Sequence, residues 1–499
     1  MSTRLSTGID GLDEVLHGGL LPGQVYMVRG QPGTGKTTLA MQFLMAGARR
    51  GETVLFVTLS ESEKELRDNA ASHGWDLSGV DFLDIHPGDE SLTHDSQYTI
   101  FHPADVELAP VTRRITEAMD RLRPSRVVFD SLTEVRLLSR DPFRYRRQIL
   151  ALKSFLLAQG VTTLFLGESA SQDSEVEVAS VVQGVIALDL SKGQNGMARR
   201  SLEVEKCRGG VYREGLHALR IVRGGLVVYP HLVALEHSQE FARDSIPSGI
   251  AELDRMLSGG LDRGTSTLLT GNAGVGKTTL GLSFMAGAAG RGERCVLFTF
   301  EEGPAEVHYR CKSLGMPLDD LVARDLLQIR KVNPLVLYPD EFAAWVREEV
   351  ETRGTRLVMI DSLNGYLQSM PNERYLVGHM HQLAAYLNRM GVTSILINEV
   401  SNLIGDFSAT DFGLSYLPDA IVVMKYYEYC GVIHKAIGTL KKRLSDHEKT
   451  LRGFEITPRG LRVGDPLPQL RGILRGEATS DGPVMPRPPR DDREGRKGG

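Results

Sequence analysis

Gly30-Gln-Pro-Gly-Thr-Gly-Lys-Thr37 and, 241 residues later, Gly271-Asn-Ala-Gly-Val-Gly-Lys-Thr278 both fit GxxxxGK[ST], the pattern of a phosphate-binding loop. Glycines let such a loop curl until its backbone N–H groups face phosphate oxygens. The helix that follows adds its positive N-terminal end. On that geometry Lys36 and Lys277 reach the β- and γ-phosphates of a nucleotide, and Thr37 and Thr278 hold Mg2+. The plain alternative is a Gly-rich turn with a surface lysine. It is disfavoured because each motif follows an apolar run, opens a helical pattern and recurs in register.

The register extends outward from the loops. STGIDGLDEVLHGGLLPG at Ser6–Gly23 repeats as PSGIAELDRMLSGGLDRG at Pro247–Gly264, and the offset of 241 still holds at Gly74 and Gly315. VVFDSL at Val127–Leu132 matches VMIDSL at Val358–Leu363 with an offset of 231, so the first half carries ten extra residues, assigned to Glu90–Pro110. Lys206 pairs with Lys441 at 235, which gives the second half four extra residues between Glu399 and Lys441. A unit this long is a duplicated domain, since solenoid repeats run about 20–50 residues. The expected organisation is a first domain over 1–235, a second over 245–475 and a disordered Gly/Pro/charge-rich tail over 476–499, with the boundary near His231–Ser248.

Short apolar runs alternate with helical patterns in each half. Gln24–Val28, Thr53–Thr58, Arg126–Phe129 and Thr162–Leu166 read as buried strands, as do Thr267–Thr270, Cys295–Phe300, Leu357–Ile360 and Ser394–Ile397. Lys36–Ala48 and Lys277–Ala289 read as helices. Continuous apolar strands with helical crossovers predict an α/β fold: two tandem domains, each a mainly parallel twisted sheet flanked by helices.

Composition bounds the rest. The 499 residues are 41% hydrophobic and 24% charged, which excludes a wholly disordered chain, and the 53 Gly follow no G-X-Y period. A net charge of −5 removes any chain-wide basic field for nucleic acid or anionic membrane. The four Cys (Cys207, Cys295, Cys311, Cys430) form no CxxC pair, so a zinc ribbon or disulfide scaffold is not expected and a reducing cytoplasm is. The first ten residues have no apolar signal-peptide core, and no run approaches a membrane span.

Asp130 and Asp361 each end an apolar strand before Ser-Leu, where a carboxylate can orient Mg2+. Glu301-Glu302 follow the strand CVLFTF and are placed to polarise an attacking water or hydroxyl; the matched positions are Ser60-Glu61. Surface acids opening a helix are the bland reading of both pairs. Lys206-Cys-Arg208 and Lys441-Lys442-Arg443 end late strands, where cations can reach a neighbouring subunit's γ-phosphate or simply meet solvent.

The doubled phosphate loop, Glu301-Glu302, Asp361-Ser362 and TDFGLSY at Thr410–Tyr416 together resemble the KaiC family, the double-ring ATPases of the circadian clock and their bacterial relatives, within the broader RecA-like ATPases. The likeness runs from about Ser6 to about Gly464. It implies tandem RecA-like domains, ATP and Mg2+ as cofactors, a homo-hexamer of two stacked rings with ATP between subunits, and hydrolysis in the first ring. It implies serine/threonine autophosphorylation in the second. Carried over residue by residue, the nucleotide groups of the first domain are Gly33, Thr34, Gly35, Lys36, Thr37, Thr38 and Ser72, with Lys206 and Arg208 acting from the neighbour. In the second they are Gly274, Val275, Gly276, Lys277, Thr278 and Thr279, opposed by Lys435, Lys441, Lys442, Arg443, Ser445, His447 and Lys449. Glu301 becomes the phosphotransfer base and a metal contact, Ser415 the phosphoacceptor and Thr410 the second candidate. The resemblance also implies a KaiB-like or signalling-kinase protein partner.

The sequence departs from the family pattern in places. The Ser-Thr acceptor pair is Ser415-Tyr416, Ser60 replaces a carboxylate, and the position that stacks a ring on adenine holds Leu314. Two other readings compete. A RecA/RadA-like DNA-stimulated ATPase needs clustered cations and aromatics, and Arg144-Tyr145-Arg146-Arg147 is the densest candidate; it precedes QILALKSFLLAQG, so a helix start is favoured over a DNA grip. The other is a scaffold in which ATP only holds subunits together. No nucleic-acid or membrane partner is expected.

Overall fold

The structure, a computed structural model, describes residues 4–85, 103–139, 141–168, 178–192, 196–369, 373–400, 416–476 and 478–480. The chain divides into two compact units, Met1–His231 and Leu232–Gly499.

The first unit is built on one sheet: β1 Val25–Gly30, β2 Val54–Thr58, β3 Asp81–Asp84, β4 Arg126–Asp130, β5 Thr162–Glu168, β6 Gly184–Lys192, β7 Ala198–Cys207, β8 Leu216–Val222 and β9 Gly225–Tyr229. Their spatial order is β3-β2-β4-β5-β1-β6-β7-β8-β9. The first six run parallel, and β7, β8 and β9 add an antiparallel flank. β2 and β4 are buried at every position, as helices on both faces of a parallel sheet require. The helix Lys36–Ala48 packs on one face with Leu39, Phe43 and Leu44, while Ile149 and Leu156 of the helix Pro142–Ala158 belong to a separate apolar cluster with Phe129 and Phe165.

The second unit repeats this plan with β12 Ser266–Gly271, β13 Cys295–Thr299, β14 Leu327–Lys331, β15 Leu357–Asp361, β16 Thr393–Glu399, β17 Ala420–Tyr429, β18 Val432–Lys442, β19 Arg452–Thr457 and β20 Gly460–Pro466, in the order β14-β13-β15-β16-β12-β17-β18-β19-β20. Each strand sits where its counterpart sits in the first sheet. The duplication reaches small details: Leu5 bridges Leu20, and at the same offset β10 Ser245–Ile246 pairs with β11 Leu261–Asp262. These are two tandem RecA-like α/β domains: the apolar runs predict the parallel sheets, and the resemblance implies the RecA-like kind.

Two edges take definite positions. The stretch after His231 is part of the second unit: Leu232 and Ala234 are buried in its core, and the Gln239 N–H donates to the Arg389 carbonyl at 3.0 Å. Apolar side chains set that edge; charge density on its own does not mark a linker. At the other end β22 Thr479–Ser480 pairs with β21 Leu470–Arg471, so backbone hydrogen bonds carry order past residue 476. Residues 481–499 and most of the first half's insertion, 86–102, lie outside the described residues; 103–110 open the helix Pro103–Leu122.

Candidate functional site

Each phosphate loop joins the central strand of its sheet to a helix. Gly33 and Gly35 take φ values of +80° and +107°, and Gly274 and Gly276 take +69° and +117°, left-handed angles that favour glycine. A Cβ on Gly35 would stand 2.9 Å from Ile221 Cδ1, and one on Gly276 2.7 Å from Ile456 Cδ1. The helix Lys36–Ala48 starts directly at the last glycine, and so does the helix Lys277–Gly290, with no side-chain cap in either case. The first-turn N–H groups are therefore left for an anion. Thr34 and Val275 are fully buried and anchor the loops, Thr34 Oγ1 donating to the Gln31 carbonyl at 2.8 Å.

In the first unit Lys36 Nζ donates to the Gly30 carbonyl at 2.8 Å, and Thr37 Oγ1 donates to Asp130 Oδ2 at 2.9 Å. Burial pushes the Asp130 carboxyl up to about 6, opposed by the Thr37 hydroxyl and aided by the nearby Glu61 charge. Glu61 Oε2 is buried with no hydrogen-bond partner. Thr37, Thr38, Glu61, Asn69, Ser72, His73 and Trp75 line one cavity of about 150 Å3, in which the His73 and Trp75 rings stack at 4.9 Å.

In the second unit Lys277 Nζ donates to the Gly271 and Asn272 carbonyls at 2.9 and 2.7 Å, and Thr278 Oγ1 donates to Asp361 Oδ2 at 2.6 Å. Burial lowers the Lys277 pKa and pushes Asp361 up to about 6, with Glu301 and Glu302 adding repulsion. Gly274, Gly276, Lys277, Thr278, Thr279, Glu301, Glu302, Asp361 and Leu314 line a cavity of about 380 Å3. Glu301 Oε1 accepts from Ser362 Oγ at 2.8 Å. Glu302 instead accepts from Arg310 Nη1 at 2.7 Å and forms an ion pair with Nη2 at 2.7 Å.

These groups fit Mg2+. A hydroxyl and a buried carboxyl already share a proton in each unit, and an acid that unstable in its charged form gains from a cation. Mg2+ keeps several waters and takes few protein oxygens, and among the described residues no cluster of three or more His, Cys, Asp or Glu offers a fuller cage.

The strand-end cations are held by their own unit. Lys206 Nζ donates to the Ala179 and Ser180 carbonyls at 2.5 and 3.3 Å, and Arg208 Nη2 donates to Ser180 at 3.1 Å. Lys441 Nζ donates to the Pro418 carbonyl at 2.7 Å, and Arg443 Nη2 to that of Tyr416 at 3.0 Å. All four keep part of their surface in solvent. Lys435 is half-buried with its ammonium 5.5 Å from the Tyr426 ring, His447 is half-buried and Lys449 is exposed. Lys442 and Ser445 both meet Asp262 of their own unit. Lys442 Nζ is buried on the Leu257 and Gly260 carbonyls and lies 3.2 Å from Asp262 Oδ1, while Ser445 Oγ donates to Asp262 at 3.0 Å. Ser415 and Thr410 lie outside the described residues. Tyr145, the ring of the candidate DNA grip, is buried in the core and provides no stacking surface.

Sequence reading passes over four groups that the fold brings in. Ile221 and Ile456 come from the antiparallel flank, and Arg310 from the helix Pro304–Ser313. Glu399 Oε2 lies 4.0 Å from Lys277 Nζ. For the last a signal was available: Glu168 and Glu399 end matched strands at the offset of 231.

The family model for the KaiC ATPase matches residues 5–233 and again 246–467. The circadian clock protein KaiC3 of Synechocystis sp. is 29% identical over 486 residues, 95% of this chain and 94% of the relative. The circadian clock oscillator protein KaiC of Acaryochloris marina is 28% identical over 492 residues, covering 96% and 91%. That of Thermostichus vulcanus is 30% identical over 486 residues, covering 95% and 92%. Since the match takes in both halves, each with its own phosphate loop and its own Thr–Asp pair, the chain belongs to the KaiC ATPase family.

Proposed function

We propose that this KaiC-family ATPase hydrolyses ATP in its first domain and uses its second as a serine/threonine autokinase, working as a hexameric switch of two stacked rings. The observation that carries the reading is the recurrence, in both units, of a loop lysine, a Thr–Asp pair at 2.9 and 2.6 Å and a carboxylate past the neighbouring strand. Lys36 and Lys277 would grip the β- and γ-phosphates, and Thr37, Thr38, Thr278 and Thr279 would complete the cradle. Thr37 with Asp130, and Thr278 with Asp361 and Glu301, would hold Mg2+, which when bound offsets charge on the phosphate oxygens. Glu61 would take the proton of an attacking water, and Glu301, oriented by Ser362, that of an acceptor hydroxyl.

The nucleotide sits between subunits in this reading. Lys206 and Arg208 serve the first ring. Lys435, Lys441, Arg443, His447 and Lys449 serve the second. Ser415 is the acceptor; the phenol of Tyr416 stands several ångströms further from the backbone and does not fit the same in-line geometry, and Thr410 is the second candidate. A phosphate of about −1.5 to −2 charge there would re-pair ions across the interface and so tune docking of a KaiB-like or signalling-kinase partner.

The test is incubation with γ-labelled ATP and Mg2+, with and without single-stranded DNA, followed by mass spectrometry of residues 405–420. Phosphate on Ser415, lost in Ser415→Ala while first-ring hydrolysis continues, is the expected result. Undiminished label in that variant, or turnover that requires DNA, would overturn it.

A further inference from the structure

The two units differ most sharply at one ion pair inside the second cavity. Glu302 corresponds to Glu61, and Arg310 corresponds to Asn69, both at the offset of 241. In the first unit the Glu61 carboxylate has a buried oxygen with no hydrogen-bond partner, and the amide of Asn69 carries no charge to claim it. In the second unit Glu302 Oε1 accepts from Arg310 Nη1 at 2.7 Å, and Glu302 Oε2 stands in an ion-pair contact 2.7 Å from Arg310 Nη2. A hydrogen bond between two charged groups is short and stronger than a neutral one, and the second ion-pair contact adds to it. Meanwhile, among the described residues, Glu301 pairs with no arginine and its carboxylate is held by the Ser362 hydroxyl at one oxygen. The Thr299 hydroxyl donates to the Glu302 carbonyl at 2.9 Å, so the backbone of the pair is pinned and only the side chains choose their partners.

We propose that Arg310 is a positioning residue that withdraws Glu302 from proton transfer, so that Glu301 is the sole base of the second site while Glu61 serves the first. This rests on the reading that the second site turns over Mg-ATP. In the step concerned, the attacking oxygen bonds to the γ-phosphorus as the bond from that phosphorus to the β–γ bridging oxygen breaks. ADP leaves with the bonding pair, and the attacker's proton passes to a Glu301 carboxylate oxygen. Glu302 is adjacent in sequence and lines the same cavity, yet its carboxylate is drawn to Arg310 by one hydrogen bond and one ion-pair contact. Asn at 310 would restore the arrangement of the first unit and release a second base.

The full chain carrying Glu61→Gln isolates second-site turnover while leaving both phosphate loops intact. In that background Glu301→Gln should cut turnover by about 10²–10⁴-fold, the range for loss of a general base. Adding Arg310→Asn should recover about 10-fold or more of it, in kcat rather than KM, and adding Glu302→Gln on top should remove the recovery. Arg310→Lys, which keeps a cation beside Glu302, should recover nothing. Arg310→Gln is the second uncharged variant should Arg310→Asn melt early. No recovery in a variant that still binds ATP, or a Glu302→Gln loss as large as that of Glu301→Gln with Arg310 in place, overturns the assignment. Absence of any turnover that Lys277→Ala removes would overturn both the reading of the second site and this inference; a Lys277-dependent rate with no recovery overturns the inference alone.

Discussion

The two nucleotide sites of this chain share their grip and differ in their chemistry. Glycines at positive φ, a lysine folded over the loop, an isoleucine against the last glycine and a Thr–Asp pair recur in both units. The differences sit one shell out: Ser60 against Glu301, Asn69 against Arg310, and the stacked His73 and Trp75 rings against Leu314 and Met316. Backbone geometry makes the grip, and it depends on contiguous residues that a duplication copies whole. Proton transfer and base packing depend on single side chains, so a few substitutions separate two sites without disturbing either fold.

The largest expected effect breaks the comparison on its chemical side. Glu301→Gln should lower labelling by the second site about 10²–10⁴-fold with ATP binding unchanged, as read by γ-phosphate transfer beside a filter-binding titration. Unchanged labelling removes Glu301 from the mechanism.

Next comes the shared grip. Lys36→Ala removes charged contacts each worth about 1.5–3 kcal/mol, so first-site affinity should drop about 10–100-fold. The nucleotide-dependent step on a sizing column, from a 54.9 kDa chain to a hexamer, should weaken with it. A monomer at saturating ATP and Mg2+ would sink the assembly reading.

The pH dependence sharpens what the two sites have in common. Asp130 and Asp361 both titrate near 6. At pH 5 only about a tenth of each is ionised, so Mg2+-dependent nucleotide binding should fall about tenfold between pH 7.5 and 5. Stability without metal runs the other way. The folded state holds these protons more tightly than the unfolded chain, so the stabilisation is full below about pH 4 and lost as pH rises through about 6. Thermal melts of Asp130→Asn and Asp361→Asn should each flatten that slope; an unaltered slope means the acids titrate elsewhere.

The smallest effect concerns the base. Leu314→Phe gives the second cavity a ring, and a stacked pair adds about 0.5–1.5 kcal/mol, a gain of about two- to tenfold in ATP affinity. The variant should gain nothing for a triphosphate lacking its base, which serves as the control.

The phosphate loops, the apolar strands and the doubling were legible because each is a local pattern in consecutive residues, and the repeat offset let one half vouch for the other. Asp130 and Asp361 were legible for the same reason: an acid at the end of an apolar strand points to the carboxyl edge of the sheet, where the loop lies. The antiparallel flank was not, because β7, β8 and β9 mix buried, half-buried and exposed positions without a clear period and, Lys206 at the end of β7 aside, carry no motif. Ile221 and Ile456 reach the loops only through that flank. Arg310 has no signal of its own in the sequence, and only the fold brings it from the helix Pro304–Ser313 onto Glu302.

Lys442 shows most clearly what only tertiary structure decides. The sequence supplies three cations in a row at Lys441-Lys442-Arg443 and fixes their chemistry, but not their faces. The pairing of β17 with β18 shifts register between Ile421 and Val422, and an extra residue in one strand resets which side chains face the core. That irregularity sends Lys442 inward to Asp262 and leaves Lys441 and Arg443 near solvent. Residue types along the chain therefore set which phosphates and protons this protein can handle. The register of one strand pair and the reach of one arginine set which residues are left to do it.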